Sequence, residues 1–163
     1  MTPRTVYLAT DHAGFALKNA IKAMLLTDPA YVVVDRGAHV YDETDDYPDF
    51  IAQAARDIAK EPQARAIIFG GSGQGEAMVA NKFPHVRAAV YYGEPAQRQV
   101  DATGESLSQI ASSRLHNDAN VLSLGARFLS EAEAIEAVRT WLATPFSQDE
   151  RHVRRIKKLE QLP

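Results

Sequence analysis

The chain has 163 residues, of which 45% are hydrophobic and 24% charged, and its formal net charge at pH 7 is −3. These values predict one globular domain with a sizeable core, and they give no reason to expect a nucleic-acid or anionic-membrane surface. The absence of cysteine excludes disulfides, a thiol nucleophile and thiolate metal ligands. Because no apolar run reaches membrane-spanning length and the start does not read as a signal peptide, we expect a cytoplasmic protein.

Short apolar runs alternate along the chain with longer amphipathic segments. We predict buried strands at residues 5–10, 31–35, 66–69, 86–91 and 120–125. We predict helices at residues 15–26, 50–59, 76–82, 97–114 and 131–143. This order predicts an α/β fold with a parallel sheet covered by helices on both faces. Ligands of such sheets bind beyond the carboxyl ends of the strands, so the loops that leave the strands are the candidate site.

The end of the chain, residues 147–160, predicts a final helix. Ser147 is the expected N-cap, and acidic residues follow it in the first turn. The break at Thr144 and Pro145 separates this helix from the body of the domain. We therefore expect a C-terminal helical arm that packs on another subunit.

A glycine-rich loop stands between the third predicted strand and its helix. Its glycines are Gly70, Gly71, Gly73 and Gly75, and Glu76 follows them directly. Main-chain N–H groups near a helix N-terminus favour an anion. The loop is not a P-loop, because no Gly-Lys-Ser/Thr follows it. Glycines beyond those needed for a turn cost conformational entropy, which indicates that something approaches the backbone closely.

Two other interpretations of this loop stay open at the level of the motif. The glycines can form a turn that packs a helix onto the sheet. Ser72, which stands between glycines, also invites comparison with the Gly-x-Ser-x-Gly nucleophile elbow of hydrolases, for which His116 and Asp118 loosely offer the remaining triad members.

Several polar side chains outside this loop are further candidates. Asp11 ends the first predicted strand and suits a helix cap, whereas His12 beside it has no such structural role. Arg151 and Arg155 are four residues apart, so both lie on one helix face. Two arginines on one face can bind a phosphate, although a solvated charged surface is the more common explanation.

Five stretches of the sequence, taken together and in order, closely resemble one enzyme family. They are DHAGFALK (11–18), DYPDF (46–50), GGSGQGEAMVANKFPHVRAAV (70–90), HNDANVLSLGAR (116–127) and ERHVRRI (150–156). The family is that of ribose-5-phosphate isomerase B and the galactose-6-phosphate isomerase subunits. The resemblance implies a Rossmann-like three-layer sandwich with a central five-stranded parallel sheet. It also implies a homodimer or homotetramer with active sites between subunits, and interconversion of ribose 5-phosphate and ribulose 5-phosphate without metal or cofactor.

The resemblance also assigns catalytic roles. One branch of the family uses a cysteine as the base at the end of the third strand, but this chain has Gly70 there. The other branch uses a glutamate, which matches Glu76 and would move the proton through a cis-enediolate. Ser72 and the N–H groups of the loop would stabilise the oxyanion, and His116 would assist ring opening.

Further residues are assigned by resemblance to substrate binding. Asp11 would orient hydroxyls, Asn117 would hold the substrate and Tyr47 would line the pocket. The phosphate would be bound by His12, Arg127, Arg151 and Arg155, the last two from the partner subunit. Space for the sugar and its developing oxyanion would come from Gly70, Gly71, Gly73 and Gly75.

Residues 94–113 form a longer segment than the family usually has at this place. Its predicted position close to the site leaves the substrate open. A six-carbon sugar phosphate, such as allose or galactose 6-phosphate, is one alternative. A non-catalytic sugar-phosphate binding protein is the other.

Overall fold

The computed structural model describes residues 2–97, 99–101 and 103–162. Its strands are β1 (Arg4–Thr10), β2 (Tyr31–Asp35), β3 (Arg65–Gly70), β4 (Ala88–Tyr91), β5 (Gln99–Val100), β6 (Ser106–Leu107) and β7 (Val121–Gly125). Its helices are α1 (Phe15–Leu26), α2 (Tyr47–Lys60), α3 (Gln74–Ala80), α4 (Gln109–Leu115), α5 (Glu131–Ala143) and α6 (Glu150–Leu159). None of the helices described is long and apolar enough to cross a membrane.

A five-stranded sheet in the order β2-β1-β3-β7-β4 forms the centre of the molecule, and its paired strands are all parallel. The direction of winding changes between β1 and β3. In open α/β sheets the carboxyl ends of the two strands at such a point border the ligand crevice. The residues that follow β1 and β3 therefore lie at the place where a site is expected.

Apolar side chains fill both faces of the sheet. On one face α1, α4 and α5 enclose a core that includes Leu25 and Trp141. On the other face α2 and α3 enclose a second core that includes Ile51 and Ala80. The predicted three-layer α/β fold and its five-stranded parallel sheet are confirmed.

The predicted helix over residues 97–114 is wrong in its first half. Strands β5 and β6 form an antiparallel hairpin there, and only α4 is helical; Arg98 and Ala102 lie outside the described residues. The Oδ1 atom of Asp101 accepts hydrogen bonds from the backbone N–H groups of Thr103 and Glu105. Gly104 has φ near +90°, a conformation outside the right-handed helix. The turn therefore interrupts the helical pattern before Ser108 caps α4.

The predicted N-cap of the last helix is also wrong. Gln148 has φ near +60°, so the helix cannot extend back through it, and α6 begins at Glu150. The Oγ atom of Ser147 instead lies 2.9 Å from Nδ1 of His152. The other predicted strands and helices are confirmed, with ends that differ by three residues or fewer.

Candidate active site

The loops after β1, β3 and β7 meet at the carboxyl end of the sheet. The backbone N–H groups of Ala126 and Arg127 donate to the carbonyl oxygens of Gly70 and Gly71, at 2.8 and 3.1 Å. These bonds join the loop after β7 to the glycine-rich loop after β3. Asp11 follows β1, the strand next to β3, and is buried. Most residues that the sequence assigns to the site are thereby brought to one edge.

Glu76 is the buried acid of this edge. It lies in the first turn of α3 and is 4% exposed, and its Oε2 atom has no hydrogen-bond partner among the described residues. Burial raises the pKa of Glu76; its own backbone N–H opposes the rise, and the negative charge of Asp11 adds to it. A carboxylate with a raised pKa and one oxygen that makes no hydrogen bond to the described residues suits a proton-transferring base.

Protein side chains lie against three of the glycines in the loop and leave little space for a side chain at those positions. A Cβ atom on Gly70 would overlap the carboxylate of Glu76, and one on Gly75 would lie 2.7 Å from the hydroxyl oxygen of Tyr47. On Gly71 it would lie 3.2 Å from the guanidinium of Arg127. A side chain at these three positions would therefore meet protein atoms, and the expectation that the loop makes room for a sugar and its oxyanion stays a prediction.

Gly73 has a separate backbone role. It precedes α3 with φ near +77°, the left-handed region that favours glycine, and its carbonyl accepts a hydrogen bond of 2.6 Å from the Oγ of Ser123 on β7. Ser72, just before it, is half-buried, and its Oγ accepts from the N–H of Gln74 at 3.3 Å. The loop conformation therefore starts α3 so that Glu76 turns back over β3.

His12 forms a pair with an acid that the sequence analysis missed. Its Nδ1 atom and its backbone N–H both contact Oδ1 of Asp45, at 2.7 and 2.9 Å. The hydrogen bond to Asp45 raises the pKa of His12, which favours the imidazolium that a phosphate would bind. Asp45 stands among several acids, and only its place directly before the DYPDF stretch could have marked it.

Asp11 has the capping role that the sequence allowed. Its Oδ1 atom accepts a hydrogen bond of 2.9 Å from the N–H of Ala13. Asp11, His12 and Asp45 also offer metal-ligand atoms within 4.8 Å of one another. Because Nδ1 of His12 is engaged with Asp45, a hydrogen-bonded pair accounts for this arrangement without a metal.

His116 and Asn117 lie at the opposite end of the sheet. They precede β7, and the carbonyl of Asn120 accepts a hydrogen bond of 3.0 Å from Ala66, at the start of β3. Since β3 runs from Arg65 to Gly70, its two ends are about 17 Å apart at ~3.3 Å per residue. One chain therefore does not bring His116 together with Glu76. The hydrolase triad is not assembled either, because Ser72 lies at the carboxyl end.

An open groove of about 730 Å³ contains this second group of residues. It runs between α6 and the segment from the end of α3 to β4, and His116, Asn117 and Arg155 line it. Arg151 is half-buried, with its Nη2 atom 3.7 Å from Oδ2 of Asp149. The predicted phosphate ligands are thus divided, with His12 and Arg127 at the carboxyl end of the sheet and Arg151 and Arg155, both on α6, with the second group.

Three arginines surround Asp118, which the sequence analysis weighed only as a triad member. Arg87 Nη2 lies 2.9 Å from Asp118 Oδ2, and Arg114 Nη1 lies 2.7 Å from Oδ1. Arg65 is 3.9 Å away. The Nε atom of Arg87 also donates to the carbonyl of Asn117 at 3.1 Å. These bonds hold the backbone of the loop that carries His116.

Residues 6–159 match the family model described as Ribose/Galactose Isomerase. The chain belongs to this family. It is 39% identical over 156 residues to ribose-5-phosphate isomerase B of Mycolicibacterium paratuberculosis, covering 96% of this chain and 89% of that protein. It is 37% identical over 161 residues to the enzyme of the same name from Mycobacterium tuberculosis, covering 99% of this chain and 91% of that protein.

A solved structure of the family gives the same result. Ribose-5-phosphate isomerase B from Mycoplasma genitalium, with bound ribulose-5-phosphate, has a TM-score of 0.84 and 34% identity, covering 99% of this chain and 97% of that one. The family resemblance seen in the sequence is therefore confirmed. The chain therefore shares the α/β fold of its solved relative.

Proposed function

We propose that this chain interconverts D-ribose 5-phosphate and D-ribulose 5-phosphate as an aldose–ketose isomerase. The mycobacterial and mycoplasmal relatives carry the name of this enzyme, and one of their structures holds ribulose-5-phosphate. The observation that carries the proposal is Glu76, a buried carboxylate at the carboxyl end of the sheet whose Oε2 atom has no hydrogen-bond partner in the part of the chain that the structure describes.

In this proposal Glu76 moves one proton between two carbons. It removes the proton from C2 of the open-chain aldose, and the electron pair of that bond forms the C1=C2 double bond while O1 gains negative charge. Glu76 then returns the proton to C1 as a proton passes from O2 to O1, which leaves the ketose. Ser72 and the N–H groups of the loop stabilise the enediolate.

A second copy of the chain completes the site in this proposal. It supplies His116 for ring opening, Asn117 for the sugar, and Arg151 and Arg155 for the phosphate. The support is geometric, because the two groups lie at opposite ends of the sheet and a single pentose phosphate is too short to reach both. Asp11, His12, Tyr47 and Arg127 contact the substrate from the first copy. A homodimer or homotetramer, a single-domain chain and a cytoplasmic location stay predictions.

A coupled assay of the purified protein tests the reaction. It compares ribose 5-phosphate with allose 6-phosphate and galactose 6-phosphate. We expect turnover of the pentose phosphate. Turnover of a hexose phosphate alone would keep the chemistry and change the substrate, and the β5–β6 hairpin would then be the first region to alter. A protein that binds these sugars without turning over any of them would contradict the proposal.

Co-expression of two inactive variants tests the shared site. Glu76→Gln and His116→Ala each remove one half, so a mixed dimer regains one intact site of two. Statistical pairing in a two-fold symmetric dimer predicts about a quarter of wild-type activity. Mixtures as inactive as their parents would show that one chain builds the whole site.

A further inference from the structure

The imidazole of His116 is held by two neighbours within its own chain. Its Nδ1 atom lies 3.3 Å from the Oγ of Ser112, one helical turn earlier on α4. Its ring lies 4.5 Å from the ring of His152, centroid to centroid, with the planes tilted by 38°. These contacts leave Nε2 as the ring nitrogen that is not directed at Ser112.

The ring of His152 that packs against His116 is buried. It is 3% exposed, and its Nδ1 atom lies 2.9 Å from the Oγ of Ser147. The N–H of Ser147 donates to the carbonyl of Leu115 at 3.2 Å, which ties the start of the last segment to the end of α4. Burial lowers the pKa of His152, and the positive charge of Arg151 acts in the same direction. A buried ring, held through its Nδ1 atom by Ser147, therefore packs against His116 and restricts its rotation.

The β5–β6 hairpin, which replaces the first half of the predicted helix, contacts Ser112, the hydrogen-bond neighbour of His116. Gln99, on β5, donates a hydrogen bond of 3.0 Å from Nε2 to the Oγ of Ser112. A serine hydroxyl has one hydrogen to donate and two acceptor lone pairs. With one lone pair engaged by Gln99, the hydroxyl hydrogen of Ser112 can point to Nδ1 of His116.

We propose that Gln99 and Ser112 form a hydrogen-bond relay that positions His116 with its proton on Nε2, so that the hairpin takes part in ring opening. The inference rests on the proposed function, in which His116 acts on the ring form of the sugar. Neither residue touches the substrate in this arrangement, so both are positioning residues. The relay also gives the long segment 94–113 a role close to the site.

The tautomer decides what His116 can do. In ring opening the bond between C1 and the ring oxygen breaks, and its electron pair stays on that oxygen. The proton on Nε2 passes to this oxygen, while the anomeric hydroxyl loses its proton to water and becomes the C1 carbonyl. An imidazole with its proton on Nδ1 would have only a lone pair at Nε2 and could not donate this proton.

The test separates ring opening from proton transfer. Turnover of ribose 5-phosphate needs both steps. Exchange of the C1 hydrogen of ribulose 5-phosphate with solvent deuterium, followed by NMR, needs only the proton transfer at Glu76, because this ketose has no free hydroxyl with which to close a five-membered ring. The ratio of turnover to exchange therefore reports the positioning of His116.

We expect Ser112→Ala to lower turnover about tenfold, a part of the ~10²–10⁴ that general acid–base catalysis contributes, with exchange nearly unchanged. Gln99→Ala should lower turnover less and again leave exchange unchanged, whereas Ser112→Thr, which keeps a hydroxyl, should recover the ratio. Gln97→Ala is the matched control, since this glutamine is exposed in the same segment.

Equal losses of turnover and exchange in Ser112→Ala, or wild-type ratios in both Ser112→Ala and Gln99→Ala, would overturn the relay. Because Gln99 is exposed on the hairpin, its replacement tests the relay even if Ser112→Ala does not fold. A wild-type protein without turnover would overturn the proposed function as well, whereas an active wild type with parallel losses would overturn the relay alone.

Discussion

The two polar regions at opposite ends of the sheet are built on different principles. At the carboxyl end, Glu76 is buried, its Oε2 atom has no hydrogen-bond partner among the residues described, and glycines let side chains pack against the backbone. At the amino end, His116 and Arg155 line an open groove, and Asp118 is paired with arginines. A base gains strength from desolvation, whereas a doubly charged phosphate needs access and positive charge. In the proposed function, this comparison accounts for an enclosed base in one region and for accessible positive charge in the other.

Replacing Glu76, the buried acid at the carboxyl end, should have the largest effect on turnover. Glu76→Gln keeps the shape of the side chain but removes the base, so turnover should fall by roughly 10²–10⁴-fold. Binding of the sugar phosphate, measured by calorimetric titration, should remain. Glu131→Gln, an exposed acid in the first turn of α5, is the matched control. A parallel loss of binding and turnover would contradict the assigned role.

The position of that acid can be altered without removing it. In Gly70→Ala the added methyl group overlaps the carboxylate of Glu76 and must displace it. A displacement of about 1 Å can cost ~10²-fold in rate, which is the loss in kcat that we expect. Kinetics of the double variant Gly70→Ala/Glu76→Gln provide the control. It should be no slower than Glu76→Gln alone, and additive losses would mean that the methyl group acts elsewhere.

The second region should respond mainly in substrate affinity. Arg155→Ala should raise KM more than it lowers kcat, because the phosphate is held in the ground state and the transition state alike. Loss of a charge-assisted hydrogen bond worth about 1.5–3 kcal/mol corresponds to a KM about 10–150-fold higher. Steady-state kinetics of Arg154→Ala, the exposed neighbour on the same helix, give the control. An unchanged KM in Arg155→Ala would contradict the assignment of Arg155 to phosphate binding.

The smallest expected effect is a shift in pH dependence at the carboxyl end. Asp45 raises the pKa of His12, so the imidazolium persists to higher pH than usual. Asp45→Asn removes this influence, and His12 should lose its charge at lower pH. KM measured from about pH 5 to about pH 8 should then begin to rise at lower pH than in the wild type. Superimposable KM profiles would show that the charge of His12 does not bind the phosphate.

Local patterns were enough to predict most of the fold. The apolar runs marked the five strands of the sheet, and the amphipathic segments marked most helices, because hydrophobic periodicity is set by neighbouring residues. The helix predicted at residues 97–114 was wrong in its first half for the same reason. Its helical pattern is overridden by a turn in which the Asp101 side chain accepts a backbone hydrogen bond and Gly104 has positive φ, neither of which hydrophobic periodicity records.

The sequence by itself determined the family, the glycine-rich loop and the identity of Glu76 as the candidate base, since each depends on contiguous residues in a specific order. Only the tertiary structure showed that Gly70 makes room for Glu76, that Asp45 pairs with His12, and that Gln99 reaches Ser112. It also showed that His116 lies at the opposite end of the sheet from Glu76. Such relations join residues far apart in the chain, and strand order and packing decide them.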